Sequence, residues 1–362
     1  MALVITGCAQ DDGGGTSAEE GGGEASSDFY DGETVTILVP AAPGGGADAT
    51  AQFNSPYINE FVPGNPDVQV EHDESAGGIG GGNRYFNEMS PDGYTIFLSA
   101  FTTTMPWLVG ESAVQYDVAE LTPIAAFPYT GMFYVHPDTG IETVEDLPEH
   151  AGELVKGGVS PISTDLMFVL ALEVLGVRED MQEIWGYGGT GDTVLAFQQG
   201  ETNFDATTNV VWNQNQQMEE KGEAIPLVAF GFLQEDGTFE RDPLLPDTPT
   251  VDEAHEMIYG EPPSGPAWEA FQDVMAVIHV AHSMTMHPDA PPDAVATLRS
   301  GLSDAIENSD YVEGWQELSP AEPIYEPEAL DQAQQTVQDI PDESVEWIQN
   351  FVQENYPDEF TQ

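Results

Sequence analysis

The feature that most limits how this chain folds is a repeated unit: an apolar β-branched run, a glycine-rich turn, then a stretch of helical character. Its first copy is Thr34-Val-Thr-Ile-Leu-Val39, the turn Pro43-Gly-Gly-Gly46, and a helix predicted over 47–61. Val, Ile and Thr suit a pleated, half-buried surface, and glycines supply the backbone angles that a sharp exit needs. A second copy runs from 68–71 through a turn at 75–82 into a helix over 83–89. A third joins a strand over 153–159 to a helix over 164–175 through Gly157-Gly-Val-Ser-Pro-Ile-Ser-Thr164, with Ser163 or Thr164 as the helix cap. A fourth is Trp185-Gly-Tyr-Gly-Gly-Thr190, between a strand over 183–187 and a helix over 190–199. Strands that alternate with helices build parallel sheets, because a parallel neighbour needs a crossover connection.

Pro91-Asp-Gly93 reads as a tight turn before a strand over 94–99, which runs into the hydroxyl-rich loop Phe101-Thr-Thr-Thr104. Further strands are predicted over 132–135, 204–208, 227–232 and 273–280. Helices are predicted over 291–308, 327–338 and 341–355, each opening on a proline, which a first helical position tolerates. The longest apolar stretches fall far short of the roughly 20 residues that a membrane-spanning helix requires.

The 362 residues, 40% of them apolar, suffice for a sizeable core and suit two domains. The charge is extreme: 65 Asp and Glu against 6 Lys and Arg give −59. The acids run through every segment from Asp31 to Glu359, not as a tail block, so they read as a salt-adapted surface. Molar salt shortens the Debye length to roughly 3 Å, and carboxylates that repel in dilute buffer then coexist. With Arg84, Lys156, Arg178, Lys221, Arg241 and Arg299 as the cations, no basic patch exists to neutralise a phosphate backbone. Nucleic acid is excluded as a partner, and so is an anionic membrane surface. Any anion must be held mainly by backbone N–H groups, hydroxyls and helix N-termini.

The single cysteine, Cys8, excludes an internal disulfide and a cysteine-rich metal site. Leu3-Val-Ile-Thr-Gly-Cys8 resembles a lipobox, in which the cysteine is lipidated and becomes the mature N-terminus. A full secretory signal has a basic stretch and a longer apolar run, so residues 1–8 read as a truncated signal. Residues 9–32, rich in Gly, Ser and acids, read as a flexible tether with a reach on the order of 25 Å. The expected location is extracytoplasmic, at the cell surface or in the periplasm, with a lipid anchor.

Where a strand end meets a helix start, unpaired N–H groups and the helix dipole form an anion site. The first turn offers Pro43, Gly44, Gly45, Gly46 and Asp48 as candidates. Later turns add Ser160, Ser163 and Thr164, then Tyr187, Gly188 and Gly189. Phe101, Thr102 and Thr103 follow the strand over 94–99. Gly44, Gly46 and Ala49 also meet a dinucleotide spacing, with Glu71 at ribose-contact distance. The turn has no Walker Lys-Ser or Lys-Thr pair, an exported protein rarely meets such a cofactor, and none is assigned.

Taken in order, Thr36-Ile-Leu-Val-Pro-Ala-Ala-Pro-Gly-Gly-Gly-Ala-Asp48, Ala76-Gly-Gly78, Pro91-Asp-Gly-Tyr-Thr95 and Leu121-Thr-Pro-Ile124 resemble the N-terminal half of a known family. It is the family of substrate-binding proteins of tripartite tricarboxylate transporters, also called the Bug family. Gly158-Val-Ser160 with Ser163-Thr164, Tyr187-Gly-Gly189, Gly200 before a strand, and Asp247-Thr-Pro-Thr250 before Glu253-Ala254 continue the resemblance. It spans about residues 33–355 and implies an α/β, two-lobed fold of the type II periplasmic-binding-protein kind. Each lobe would be a mainly parallel sheet flanked by helices, with the ligand cleft between lobes. Lobe 1 is expected over 33–130 plus 250–362 and lobe 2 over 131–249, with crossings near 127–133 and 246–250.

The resemblance further implies a small carboxylate ligand, held by the first glycine turn and the Ser160 to Thr164 loop. A monomeric binder would hand it to integral-membrane transporter subunits. Two departures concern specificity. Gly200-Glu-Thr-Asn203 stands where the family has Gly-x-Val-Asp, so Asn203, or the shifted Asp205, replaces an acid that selects a ligand amino group. The segment Phe101-Thr-Thr-Thr-Met-Pro-Trp107 is this chain's own version and reads as a contact for an aromatic or extended ligand body.

Other readings keep or change the output. The same lobes suit a sensor that feeds a signalling system. A hydrolase lacks support, because no Gly-x-Ser-x-Gly elbow surrounds Ser160 or Ser163, so no enzyme is expected. A structural surface module explains tether and charge but not the glycine turns. His279 and His282, read at a strand end, point to opposite faces and cannot readily share a metal with His287.

Overall fold

The structure, a computed structural model, describes residues 25–26, 28–44, 46–234, 236–319 and 326–357. Cys8, most of the expected tether and Gly45 lie outside these residues. The described chain is docked before residue 33: the Ser26 amide donates to Thr297 Oγ1 (3.0 Å). Tyr30 is fully enclosed, its hydroxyl donating to the Gly93 carbonyl (2.8 Å).

Strands β1 (Thr34–Val39), β2 (Asp67–His72), β3 (Thr95–Leu98) and β4 (Thr122–Ala126) belong to the first lobe. Strands β5 (Gly131–Val135), β6 (Val155–Gly158), β7 (Gln182–Trp185), β8 (Phe204–Thr208) and β9 (Ile225–Ala229) build the second. A short ribbon of β10 (Phe232–Leu233) and β11 (Phe239–Glu240) follows, and β12 (Ser283–Met286) returns to the first lobe. The two five-stranded sheets have the orders β2-β1-β3-β12-β4 and β7-β6-β8-β5-β9.

Each sheet is mixed by one strand. β1 is parallel to β2 and β3, and β6 to β7 and β8. β12 is antiparallel to β3 and β4, and β5 to β8 and β9. In each lobe the odd strand is the one that the chain brings across from the other lobe. It enters at the end where its neighbours finish, so it must run against them. The turns that leave the parallel strands therefore face the junction between the lobes, where ligands sit in open α/β sheets.

The sequence expects crossings near 127–133 and 246–250; the first passage between the sheets is at 127–130, from β4 to β5. The second comes later in the chain. After Thr250 the chain stays on lobe 2: helix Val251–Tyr259 is pinned by the Tyr259 hydroxyl to the Leu175 carbonyl (2.9 Å). The return is made by helix Pro266–Ala281, whose residues 273–280 the sequence reading takes for a strand. Phe271, Val274, Met275, Val277 and Ile278 are all fully enclosed, so no polar face breaks the apolar run into a helical period. Pro266 in the first turn after Gly265 is the start signal. This helix packs against Asp165–Val174, itself enclosed on nearly every side. On the far side of the junction, helix Asp342–Asn355 reaches lobe 2, where Asn355 Oδ1 accepts from Arg178 (2.9 Å) and the Tyr356 hydroxyl donates to Glu183 (2.8 Å).

Candidate ligand-binding site

β1 ends in a turn whose geometry is locked from three sides. Gly44 has φ +90°, and its N–H donates to Asp48 Oδ2 (2.8 Å). Asp48 Oδ1 accepts from Gln52 (3.2 Å) and lies 2.9 Å from His72 Nε2. Burial alone would raise the Asp48 acid; the bonds from Gly44, Gln52 and His72 outweigh it and hold Asp48 below its ordinary value. Behind the turn, the Pro40 carbonyl accepts from Thr102 Oγ1 (2.9 Å). Gly78, at φ +103°, packs so close that a Cβ there would lie 2.4 Å from the same carbonyl. Helix Gly46–Phe61 then starts, and the N–H groups of a first helical turn have no partner within the helix.

Across the junction, β7 ends and Gly189 precedes helix Thr190–Gln199. Between the two helix starts lies a cavity of about 690 Å³. Lobe 1 contributes Gly44, Gly46 and Thr50, lobe 2 contributes Gly189, Thr190 and Gly191, and Tyr129 of the crossing segment closes one side. The larger share of the remaining wall is apolar, from Val194 and Leu195, Val210 and Val211 on the short helix Asn209–Asn213, and Trp315 and Leu318 on helix Ser309–Leu318, with Gln198, Gln214, Asn215 and Ser319 as its polar part. No Asp, Glu, Lys, Arg or His stands among the described residues that line it.

Tyr129 is backed by a buried aromatic stack. Its ring lies 4.4 Å from His282 and 5.8 Å from Phe101, and Phe101 meets His282 edge-on at 4.6 Å. Burial raises the Tyr129 phenol above its usual range and pushes His282 down to about 3, so both stay neutral. His279 and His282 sit on and just beyond the helix Pro266–Ala281, not at a strand end as the sequence suggests. No group of three metal-ligating side chains exists among the described residues.

Of the residues the sequence nominates, Gly44, Gly46 and Gly189 come together on this cavity, Pro43 is exposed beside it, and Gly45 lies outside the described residues. The others do internal work. Phe101 to Thr103 open a helix, Phe101–Leu108, and not a loop; Thr103 Oγ1 donates to the Ala100 carbonyl (2.8 Å) and is itself fully enclosed. Phe101 touches the site only through Tyr129, and Trp107 faces a separate pocket with Val337 and Ile340. Asn203 staples backbone, accepting from Val155 N (2.7 Å) and donating to the Glu153 carbonyl (2.9 Å). Asp205 is fully enclosed and takes a hydrogen bond from the Tyr134 hydroxyl. Neither side chain reaches the cavity, so neither stands where it could select a ligand amino group.

The Ser160 to Thr164 loop departs most from expectation. Val159 N (2.8 Å) and Ser160 N (3.4 Å) donate to Asp165 Oδ2, while Lys156 Nζ lies 3.0 Å from Oδ1. Ser163 Oγ donates to the Ser160 carbonyl (2.6 Å). The carboxylate gripped by this loop is the chain's own. Tyr187 and Gly188 pack nearby against Gly157 and Asp192. The sequence reading misses Tyr129, Leu195, Val211 and Leu318, which are single apolar positions with no motif around them.

Fold and cleft together define a two-lobed periplasmic-binding-protein architecture. The periplasmic binding protein BugD superposes with a TM-score of 0.61 at 20% identity, covering 89% of this chain and 98% of BugD. MatC of Rhodopseudomonas palustris with bound malate gives 0.60 at 20% identity, covering 88% and 99%. The chain thus has the fold of the Bug-type binding proteins. In sequence it is 26% identical over 294 residues to the "UPF0065 protein in the TAR-I ttuE-ttuC' intergenic region" of Agrobacterium vitis, covering 78% of this chain and 73% of that protein. No protein-family model matches the chain.

Proposed function

We propose that this chain is an extracytoplasmic solute-binding protein of the Bug family. It captures a small organic carboxylate between its lobes without converting it and delivers it to a tripartite tricarboxylate-type membrane transporter in a halophile. Cys8 is the attachment point for its lipid tether, and the binder acts as a monomer. The observation that carries the reading is the pair of glycine turns that open two helices onto one cavity, with no Asp, Glu, Lys, Arg or His among the described residues of its wall. N–H groups at helix starts hold anions, and the Tyr129 phenol on the wall is kept neutral by burial, with no charged side chain beside it among the described lining residues. MatC, with the same fold, is described with bound malate.

A thermal-shift screen of mono-, di- and tricarboxylates at molar salt tests it, beside the Gly46→Leu variant. A Cβ on Gly46 meets only the Tyr129 hydroxyl, at 3.6 Å, so a larger side chain there fills the cavity without disturbing the core. A ligand at a hundred times its Kd should stabilise the wild type by about 2.7 kcal/mol and leave the variant unmoved. Absence of a shift with every acid refutes carboxylate capture; turnover of a bound acid refutes the non-enzyme reading.

A further inference from the structure

We propose that the ligand is an amphiphilic monoanion, one carboxylate held at the helix start Gly46 and joined to an uncharged, mainly apolar body. This rests on the carboxylate-capture reading above and narrows it. In a chain with 65 acids and 6 cations, the cavity wall carries no charged side chain of either sign among the described residues. A dry second carboxylate would need a cation to offset it, and the described lining supplies none; the neutral polar groups there, Thr190, Gln198, Gln214 and Asn215, suit an uncharged body.

The two ends of the cavity are not equivalent. At the Gly46 end, Asp48 is bonded by Gly44, Gln52 and His72, which draws its charge back into the protein. At the Thr190 end, Asp192 stands exposed in the first helical turn, its carboxylate close over Gly188, so an anion there meets a like charge. Two of the three side-chain amides on that wall bond within the protein, Gln198 Nε2 facing Met218 Sδ (3.3 Å) and Asn215 Nδ2 donating to the Val211 carbonyl (2.8 Å); Gln214 is the third. The larger share of the wall left for the ligand body is apolar surface. Leu195 is among the few large apolar side chains left exposed in the described chain, at 49%, and it lies on this wall opposite Leu318 and Trp315. A volume of about 690 Å³ exceeds what a compact acid of a few carbons fills.

Calorimetric titration of the full chain at molar salt decides it, using butanoate, hexanoate, octanoate, adipate, suberate and hexanol as probes. Affinity should rise about fourfold per added methylene along the monocarboxylates until the cavity is full. Adipate should bind at least tenfold more weakly than hexanoate, and hexanol at least tenfold more weakly than hexanoate. Leu318→Arg, and independently Val211→Lys should the first variant not fold, place a cation on the wall and should turn the preference toward the dicarboxylates. Adipate that binds as tightly as hexanoate in the wild type, and is lost in Gly46→Leu, overturns this inference and leaves carboxylate capture standing. No binding by any acid of either class overturns both.

Discussion

Asp205→Asn should stabilise the protein most above neutral pH and do little below about pH 4. Asp205 is fully enclosed beneath lobe 2. Burial pushes its carboxyl up from the ordinary 3.8 to about 7, against the opposing hydrogen bond from Tyr134 and the charge of Lys156. The unfolded chain releases this proton near its ordinary value, whereas the folded chain keeps it until about pH 7. Between those points the folded state binds more protons, so wild-type stability falls as pH rises, and it flattens above about pH 7. At about 1.4 kcal/mol per pH unit the whole window is worth about 4 kcal/mol, of which about 3 kcal/mol falls between pH 5 and pH 8. Asn keeps the shape and cannot titrate, so the stability difference between the two proteins isolates this group from the other acids. Urea unfolding followed by tryptophan fluorescence in 2 M NaCl at pH 5, 6, 7 and 8 measures it. A difference that stays flat within about 0.5 kcal/mol, or one in which the wild type gains as pH rises, refutes the reasoning.

Lys156→Met removes one partner of an enclosed pair, Nζ to Asp165 Oδ1 at 3.0 Å, and should cost about 3–5 kcal/mol in urea unfolding. Lys156→Met combined with Asp165→Asn should cost clearly less than the sum of the single changes, and strict additivity would count against a coupled pair. Gly44→Ala forces a side chain to φ +90° and should cost about 1–2 kcal/mol while weakening carboxylate binding; unchanged binding would remove the first turn from the site. Raising NaCl from 0.1 to 2 M should raise the melting temperature, since the Debye length falls from about 10 Å to a few ångströms around a net charge of −59. A melting temperature independent of salt would refute the salt-adapted surface.

The lobes were legible because their strands announce themselves locally. Thr34–Val39 is a β-branched run ended by a glycine turn, and Phe204–Thr208 is a short segment set between Asn203 and Asn209. Helix Pro266–Ala281 is hidden because its enclosed stretch Val274–Ile278 is apolar without interruption and erases the helical period there, and the second crossing is lost with it. The chemistry at the turns was harder to read. Ser160, Ser163 and Asn203 have the residue types of a ligand grip, but whether an N–H faces a ligand or an internal carboxylate depends on Asp165, a buried acid that nothing in its neighbours distinguishes from the chain's many exposed ones. Leu318 and Trp315 meet the turns only because the C-terminal part of the chain folds back onto lobe 1.

The placement of five of the six cations accounts for their absence from the wall. Arg84 bridges Glu71 (2.8 Å) and Asp73 (3.3 Å) beside the second turn. Arg178 holds Glu173 (2.7 Å) and Asn355, with its guanidinium 5.1 Å from the Phe351 ring. Arg299 ties helix Pro292–Ile306 to the Pro123 carbonyl (2.7 Å) and to Asp331 (2.6 Å). Arg241 joins Glu253 (2.8 Å), and Lys156 sits under the second-lobe loop. Each secures a tertiary joint where acids would otherwise repel, and moving one to the cleft would leave that joint uncompensated. A wall without cations also suits the solvent. In molar salt an ion pair at an open cleft competes with dissolved ions for the same charge, whereas N–H groups fixed at a helix start act at contact distance, inside the screening length. A ligand grip made of backbone donors therefore works under the same salt that lets so acidic a chain stay folded.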